Sequence, residues 1–390
     1  MTNSKHSVNS PGFLKRLEIV VRKSATLNKV HFMVQKFWVG FLYATGALWW
    51  AKRQLRLNGS IVVLMFHRVL KDQEFKLPYN LPGVVVRENT FRELAEHVHE
   101  NYEAIQLEGA TPGQDSNKLR IAFTFDDGWT DNYSVALPVA KEFNIPFTIF
   151  VCPGLVGSAQ PFWPERMTSH FAASGGTIQK ADIAEMIEQL KHCSAEDREL
   201  AISKLVGENS PSDSNDSSNS SSRTLSWVEI LEMSRNNVSF GSHTQTHQIL
   251  TTLQPKQVQK EISLSKAALE KALHSSCQIF AYPNGNWNPQ VKDIVAQEGF
   301  KLAFTTERGA WTPECDPLAI PRANVYEDNL VGSNGKFSPA MFEYTTFWKV
   351  WRSMRSRRLS ANEGHSSNRG PASETSSNKK RPSVVNACQD

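Results

Sequence analysis

Residues 121–128 of this 390-residue chain read IAFTFDDG, an apolar run that ends in two aspartates and a glycine. Short runs rich in Val, Ile and Phe are typical of buried β-strands. Because active sites of α/β barrels lie at the C-terminal ends of parallel strands, a shared pattern of polar ends predicts one site. Three other runs end in this way: IVVLMF before His67, VSFGS before His243 and IFAY before Pro283-Asn284.

These runs belong to a core domain that we place at residues 58–330. Short β-rich runs alternate there with amphipathic helical patterns, which predicts an α/β fold of parallel strands joined by helices. Capping boxes at Thr90-x-x-Glu93 and Ser226-x-x-Glu229 predict helix starts, and another helix is expected from Asn288-Pro289 to Gly299. The predicted strands are Ile61–Phe66, Ile121–Phe125, Phe147–Val151, Val238–Phe240, Gln278–Ala281 and Leu302–Thr305.

A set of metal-ligating residue types occurs at two of the strand ends. His243 and His247 are four residues apart, which on a helix places both imidazoles on one face, within reach of a shared ion. Asp127 would complete a set of two histidines and one carboxylate, with positions left for water and substrate. The adjacent Asp126 would remain able to accept a proton. Histidines at this spacing are also common surface features, and Asp-Asp-Gly is a common turn, so both interpretations stay open.

The string Thr124-Phe-Asp-Asp-Gly128, together with His243-Thr-x-x-His247, resembles the first two motifs of the polysaccharide deacetylases, the NodB-homology carbohydrate esterases. The resemblance covers about residues 60–325. It implies a distorted (β/α) barrel that hydrolyses N-acetyl groups of N-acetylhexosamine units in a polysaccharide or glycan precursor and releases acetate. By the same resemblance, Asp127, His243 and His247 would hold a divalent ion such as Zn²⁺, and Asp126 would be the general base.

The general acid departs from the pattern of many members, which carry a histidine after the last strand. The segment Leu64-Met-Phe-His67-Arg-Val is similar to the branch related to poly-N-acetylglucosamine deacetylases, where the histidine precedes the aspartate motif. His67 is therefore predicted to be the general acid. A structural histidine at a strand end is the alternative.

The third motif also departs from the family pattern, because Ala281-Tyr-Pro-Asn284 stands where much of the family has Arg-x-Pro-Tyr. We hypothesise that Arg322 supplies the missing arginine by pairing with Asp126, and a surface arginine is the plain alternative. Tyr282, Pro283 and Asn284 are expected to contribute substrate contacts and a backbone N–H for the oxyanion.

The ends of the chain differ from the core in charge. The formal net charge is only +4, but Lys and Arg gather in residues 5–56 and 349–381. This distribution suits a membrane surface better than the basic stripe of a nucleic-acid-binding domain, so no nucleic acid is expected as a partner. Peripheral membrane contact is predicted through residues 30–56 and 341–358.

Within residues 1–57, which are predicted to form a helical leader, the apolar stretch Phe37–Trp50 is shorter than a bilayer span. It is either an interfacial helix or a helix packed on the domain. Residues 331–358 form a second basic, aromatic segment. The absence of a recognisable signal peptide favours the cytoplasmic side of a membrane, with an exported or cell-envelope location as the alternative.

Two segments have compositions that cannot bury apolar surface. Residues 208–223 are predicted to be a flexible Ser/Asn-rich insertion, and residues 359–390 a disordered basic tail. The five cysteines are interpreted as free thiols. The oligomeric state is not determined by any of these patterns.

Two other functions stay open besides deacetylation. The chain could hydrolyse another non-peptide C–N bond on the same fold, or it could be a non-catalytic glycan-binding barrel. A carboxylate beside a metal ligand, as Asp126 is beside Asp127, favours an enzyme, because a binding module does not need it.

Overall fold

The Val-, Ile- and Phe-rich runs form short strands in the computed structural model, which describes residues 34–77, 80–81, 83–159, 162–173, 180–206 and 223–366. All six predicted strands are present, and their ends differ from the predicted ones by no more than three residues. The strands are β1 Ile61–Phe66, β2 Arg68–Leu70, β3 Val85–Arg87, β4 Glu103–Ala104, β5 Arg120–Phe125, β6 Phe147–Val151, β7 Val238–Ser242, β8 Ile279–Ala281, β9 Leu302–Arg308 and β10 Ile320–Asn324.

Seven of these strands close into a parallel barrel in the order β1-β10-β9-β8-β7-β6-β5, because β1 pairs with both β10 and β5. The pairing of β1 with β5 runs without interruption from Ile61 opposite Arg120 to Phe66 opposite Phe125. Strand β4 adds to the start of β5, and β2 and β3 form a separate pair. The predicted (β/α) barrel is therefore confirmed.

Helices surround the barrel, and two of the three predicted helix starts are correct. Ser226 and Glu229 form the expected capping box, and Asn288 caps the next predicted helix through the Val291 N–H. The box at Thr90 is wrong, because that helix already begins at Glu88 and the Thr90 hydroxyl donates to Glu327 instead. The helices are residues 34–44, Ala47–Leu57, Asp72–Phe75, Glu88–Asn101, Leu137–Glu142, Trp163–Ala173, Lys180–Leu190, Ala195–Val206, Trp227–Ser234, Pro255–Leu273, Pro289–Gln297, Pro339–Glu343 and Lys349–Ser366.

Alternate side chains of β1 pack on opposite sides of the barrel wall, as the two-residue period of a strand requires. Ile61 and Val63 join a cluster inside the barrel with residues of other strands, including Phe304. Val62, Leu64 and Phe66 face outward and join the larger core beneath the helices. All six residues of β1 are buried, which explains why its sequence is apolar throughout and does not alternate between apolar and polar residues.

The two ends of the described chain pack against each other. Lys52, on the helix Ala47–Leu57, forms a 2.8 Å ion pair with Glu343, and Trp50 packs edge-on against Trp351 at 4.7 Å. The predicted helical leader is thus helical over residues 34–44 and Ala47–Leu57, and its residues 1–33 lie outside the described part. Among the described residues, no helix is both long and apolar enough to cross a membrane.

The predicted insertion and tail fall largely outside the described residues. The insertion at residues 208–223 is described only at Arg223. The tail prediction is wrong for residues 359–366, because the helix that starts at Lys349 continues to Ser366. Residues such as Ala361 and Glu363 favour helix, so a helix that is already nucleated can extend through them. The remaining tail, residues 367–390, lies outside the described part.

Candidate active site

The predicted metal-ligating residues meet at the C-terminal end of the barrel. Asp126 and Asp127 follow β5, and His243 follows β7. His247 does not continue a helix from His243, as the spacing predicted. Instead the chain turns, with positive φ angles at Thr244 and His247, and brings the two imidazole centroids to 4.9 Å. The pairing of the histidines depends on this turn.

The three side chains offer one ligand atom each within a small volume. His247 Nε2 lies 3.2 Å and His243 Nε2 3.7 Å from Asp127 Oδ1, and the three ligand atoms lie within 4.8 Å of one another. Asp127 Oδ1 is buried, and no described residue donates a hydrogen bond to it with acceptable geometry. A buried carboxylate oxygen facing two imidazole nitrogens fits a divalent cation, because buried polar atoms are otherwise nearly always paired.

Contacts from the surrounding chain orient these ligands. The carbonyl of Ala281 lies 2.8 Å from His243 Nδ1, which sets that nitrogen as the donor and leaves Nε2 to face Asp127. Trp129 Nε1 donates to Asp127 Oδ2 at 3.2 Å. Trp129 is only 2% exposed, so it supports the carboxylate and has no surface on which a sugar ring could stack.

The protonation of His243 and Asp127 suits metal binding. Burial lowers the pKa of His243 to about 4, so its imidazole is neutral at physiological pH and has a lone pair to donate. Burial alone would raise the pKa of Asp127, but His247, His67 and His243 together hold the pKa of that carboxyl below its ordinary value. Asp127 is therefore a carboxylate.

Asp126 is held by Arg322 in a buried, bidentate ion pair. Arg322 Nη1 donates to Asp126 Oδ1 at 2.8 Å and Nη2 to Oδ2 at 2.7 Å, and the arginine side chain is fully buried. The hypothesised pairing is therefore present. Burial alone would raise the pKa of Asp126, but Arg322, His243 and His67 together lower it, so Asp126 is also ionised.

His67, the predicted general acid, follows β1 and lies at the same end of the barrel. Its carbonyl accepts a 3.0 Å hydrogen bond from Asn132, and its Nδ1 is buried without a hydrogen-bond partner among the described residues. Burial and Arg322 act more strongly on the pKa of Asp126, and His67 also contributes to lowering it. Its catalytic role stays a prediction.

The third motif forms the turn Pro283–Gly285 after β8, and its residues differ in what they can offer. The Tyr282 side chain is fully buried, and its hydroxyl donates a hydrogen bond to the Leu318 carbonyl. Its backbone N–H donates to the Phe304 carbonyl. Tyr282 therefore supports the turn with its buried ring, and a contact with substrate stays a prediction. Pro283 has no N–H, and Gly285 donates back to Tyr282. The N–H of Asn284 is the candidate oxyanion donor.

Comparison with known proteins places this site within a family. The family model named Polysaccharide deacetylase matches residues 113–303, a range that contains both aspartates, both histidines and the third motif. Over residues 113–303 the chain is similar to the polysaccharide deacetylase family. Members are hydrolases that act on amide C–N bonds of N-acetylated glycans and depend on a metal ion. His67 and Arg322 lie outside the matched range, so their roles depend on the structure alone.

Individual relatives of this chain are distant. YxkH of Bacillus subtilis, whose own name gives its polysaccharide deacetylase assignment as provisional, is 23% identical over 68% of this chain and 71% of its own length. The structure of Streptococcus pyogenes deacetylase PplD in complex with acetate shares the fold, with 22% identity, a TM-score of 0.50, and coverage of 74% of this chain and 98% of that one. IcaB from Ammonifex degensii, at 20% identity, matches 70% of this chain and 94% of its own with a TM-score of 0.47.

One buried polar residue near the candidate site was not singled out from the sequence. Glu165, on the helix Trp163–Ala173, has a buried Oε2 without a hydrogen-bond partner among the described residues. Burial, with Asp127 next in effect, raises its pKa to about 7. No motif could have indicated it, because Glu165 lies on a helix rather than at a strand end.

Proposed function

We propose that this protein removes N-acetyl groups from N-acetylhexosamine units of a polysaccharide or glycan precursor, in a metal-dependent hydrolysis that releases acetate. The observation that carries the proposal is that two adjacent carboxylates have different partners. Asp127 faces His243 and His247, whereas Asp126 beside it is held by Arg322. One carboxylate is thus available for a metal ion and the other for a proton.

Asp127, His243 and His247 would hold the metal ion, and we propose Zn²⁺ because two imidazoles and one carboxylate form a ligand set that zinc hydrolases use. When bound, such an ion polarises the amide carbonyl and lowers the pKa of water. The Ala281 carbonyl and the Trp129 indole keep two of the ligands oriented.

Asp126 is proposed as the general base. It is ionised, and Arg322 holds both of its oxygens, so the carboxylate cannot rotate away as it accepts a proton from the attacking water. Negative charge that develops on the amide oxygen would be met by the N–H of Asn284. His67 would then give a proton to the departing amine, so that amide and water become acetate and a free amino group.

Acetate release from a panel of N-acetylated oligosaccharides tests this proposal. We expect purified, metal-loaded protein to release acetate and to convert substrate to a product lighter by one acetyl group, as seen by mass spectrometry. D126N should retain the metal and lose activity, whereas D127N and H243Q should lose both. H99Q, at an exposed histidine outside the site, is the matched control and should behave as wild type.

A metal-loaded protein that binds these glycans without releasing acetate would refute the proposal in favour of a glycan-binding barrel. Hydrolysis of small or cyclic amides in the same assay, with no activity on the oligosaccharides, would refute the proposed substrate class.

A further inference from the structure

The helix formed by residues 34–44 has apolar side chains on two faces. Val39 and Leu42 are buried against the domain. On the other face Val34, Phe37, Trp38 and Phe41 recur at helical spacing and are 61%, 82%, 46% and 51% exposed. A helix that only packs on a domain has one apolar face, so the second one requires a separate explanation.

Exposed apolar side chains are concentrated in this part of the molecule. Among the described residues twelve large apolar side chains are exposed, and seven of them lie between residues 34 and 50. Trp50 extends this region toward the C-terminal helix through its contact with Trp351, which in turn lies 5.6 Å from Trp348. We call these seven residues the aromatic surface: Val34, Phe37, Trp38, Phe41, Tyr43, Trp49 and Trp50.

The segments that carry and flank the aromatic surface are purely basic. Residues 34–57 contain four Lys or Arg and no Asp or Glu, and residues 344–358 contain five Lys or Arg and no Asp or Glu. Arg53, Arg352 and Arg355 are exposed, and Arg355 lies over the Trp351 ring at 5.4 Å. Lys52 and Arg357 are paired with Glu343 and Glu307, but Arg53, Arg352 and Arg355 remain exposed cations beside the aromatic side chains.

This combination fits one kind of partner. Trp, Tyr and Phe partition into the interface of a bilayer, and each nearby Lys or Arg adds attraction to anionic headgroups. A second copy of this chain fits poorly, because a twofold contact would bring the exposed arginines of two copies together. Since no described helix can cross a bilayer, contact through this surface would be peripheral.

We propose that the aromatic surface docks the protein on a bilayer that contains anionic lipids. The helix 34–44 is tied to the end of the barrel that carries the site, because Lys36 Nζ donates at 2.6 Å to the carbonyl of Gly332 in the loop after β10. Docking would therefore keep this end of the barrel near the membrane. If the proposed function holds, that position favours glycans presented at a membrane surface.

Vesicle flotation of the full chain tests the docking independently of activity. We expect wild-type protein to float with vesicles of phosphatidylcholine and phosphatidylglycerol, to bind phosphatidylcholine alone more weakly, and to be released by high salt. The triple variant F37S/W38S/F41S should reduce the partition coefficient by about tenfold or more, because it removes three interfacial aromatic side chains. R53Q/R352Q/R355Q should lower binding only to the anionic vesicles.

The matched control is L200S/V228S/L264S, which removes three exposed apolar side chains from elsewhere on the protein and should float as wild type does. Circular dichroism and acetate release from a soluble oligosaccharide monitor the fold of each variant. Unchanged flotation of the folded aromatic variant would overturn the proposal. So would sedimentation showing a wild-type dimer that the same substitutions dissociate. Loss of acetate release in every protein with flotation intact would refute the proposed function and leave the docking supported.

Discussion

Replacing Arg322 by lysine separates the role of this residue in orienting Asp126 from any role in metal binding. Arg322 donates four buried hydrogen bonds: two to Asp126 at 2.8 and 2.7 Å, one to the Thr305 carbonyl at 2.9 Å and one to the Thr124 hydroxyl at 3.2 Å. Lysine keeps the charge but donates from a single nitrogen. It cannot hold both carboxylate oxygens and the Thr305 carbonyl together.

The expected magnitude follows from these contacts. Loss of one charge-assisted hydrogen bond costs about 1.5–3 kcal/mol, and an unsatisfied buried carbonyl costs about 1–3 kcal/mol, so R322K should destabilise the fold by roughly 3–5 kcal/mol. A base displaced by about 1 Å lowers turnover on the order of 100-fold. Metal stoichiometry should not change, because Arg322 contacts none of the proposed ligands.

The assay is acetate release under saturating substrate, with metal content measured on the same sample and unfolding followed in denaturant. R120K is the matched control, because Arg120 is a buried arginine at the opposite end of the strand that leads to Asp126. It should lower stability while leaving turnover near wild type. Turnover of R322K within about threefold of wild type, or loss of metal from it, would refute the reasoning.

Three further predictions concern the fold. Burial lowers the pKa of His97 below its ordinary value, so the unfolded state binds more protons at this residue than the folded state does below about pH 6.5. The free energy of unfolding of the wild type should therefore decrease as the pH is lowered below this value. The decrease should be smaller in H97Q, as measured in denaturant at several pH values. S226A removes the cap that accepts from the Glu229 N–H and should cost about 1 kcal/mol in the same assay, whereas an unchanged midpoint would contradict the cap. In G241A the new Cβ would lie 2.6 Å from the Phe150 ring and should cost about 1–3 kcal/mol, a prediction that a wild-type melting temperature would disprove.

Strand prediction succeeded where the signal was local and failed where it was not. Runs such as Ile61–Phe66 are apolar throughout, so burial on both faces is visible from the sequence. Strand β10 was missed because Pro321 and Arg322 are unfavourable in a buried strand. Arg322 is tolerated there because its charge is neutralised by Asp126, which lies 196 residues away in the chain.

The candidate site shows the same division. Strand ends and residue types were enough to nominate Asp126, Asp127, His243 and His247. The sequence placed the two histidines on a helix, whereas a turn with left-handed backbone brings them together. The alternatives for the leader were also unresolved, because an amphipathic pattern does not say which of two apolar faces meets the domain.

The residue types at the metal and base positions, and the α/β barrel that carries them, were determined by the sequence, because apolar runs and their polar ends are local signals. Only the tertiary structure decided that Arg322 pairs with Asp126, that Tyr282 is buried and that the Glu165 carboxyl is buried as well. These facts depend on contacts between segments far apart in the chain, and such contacts leave no local pattern.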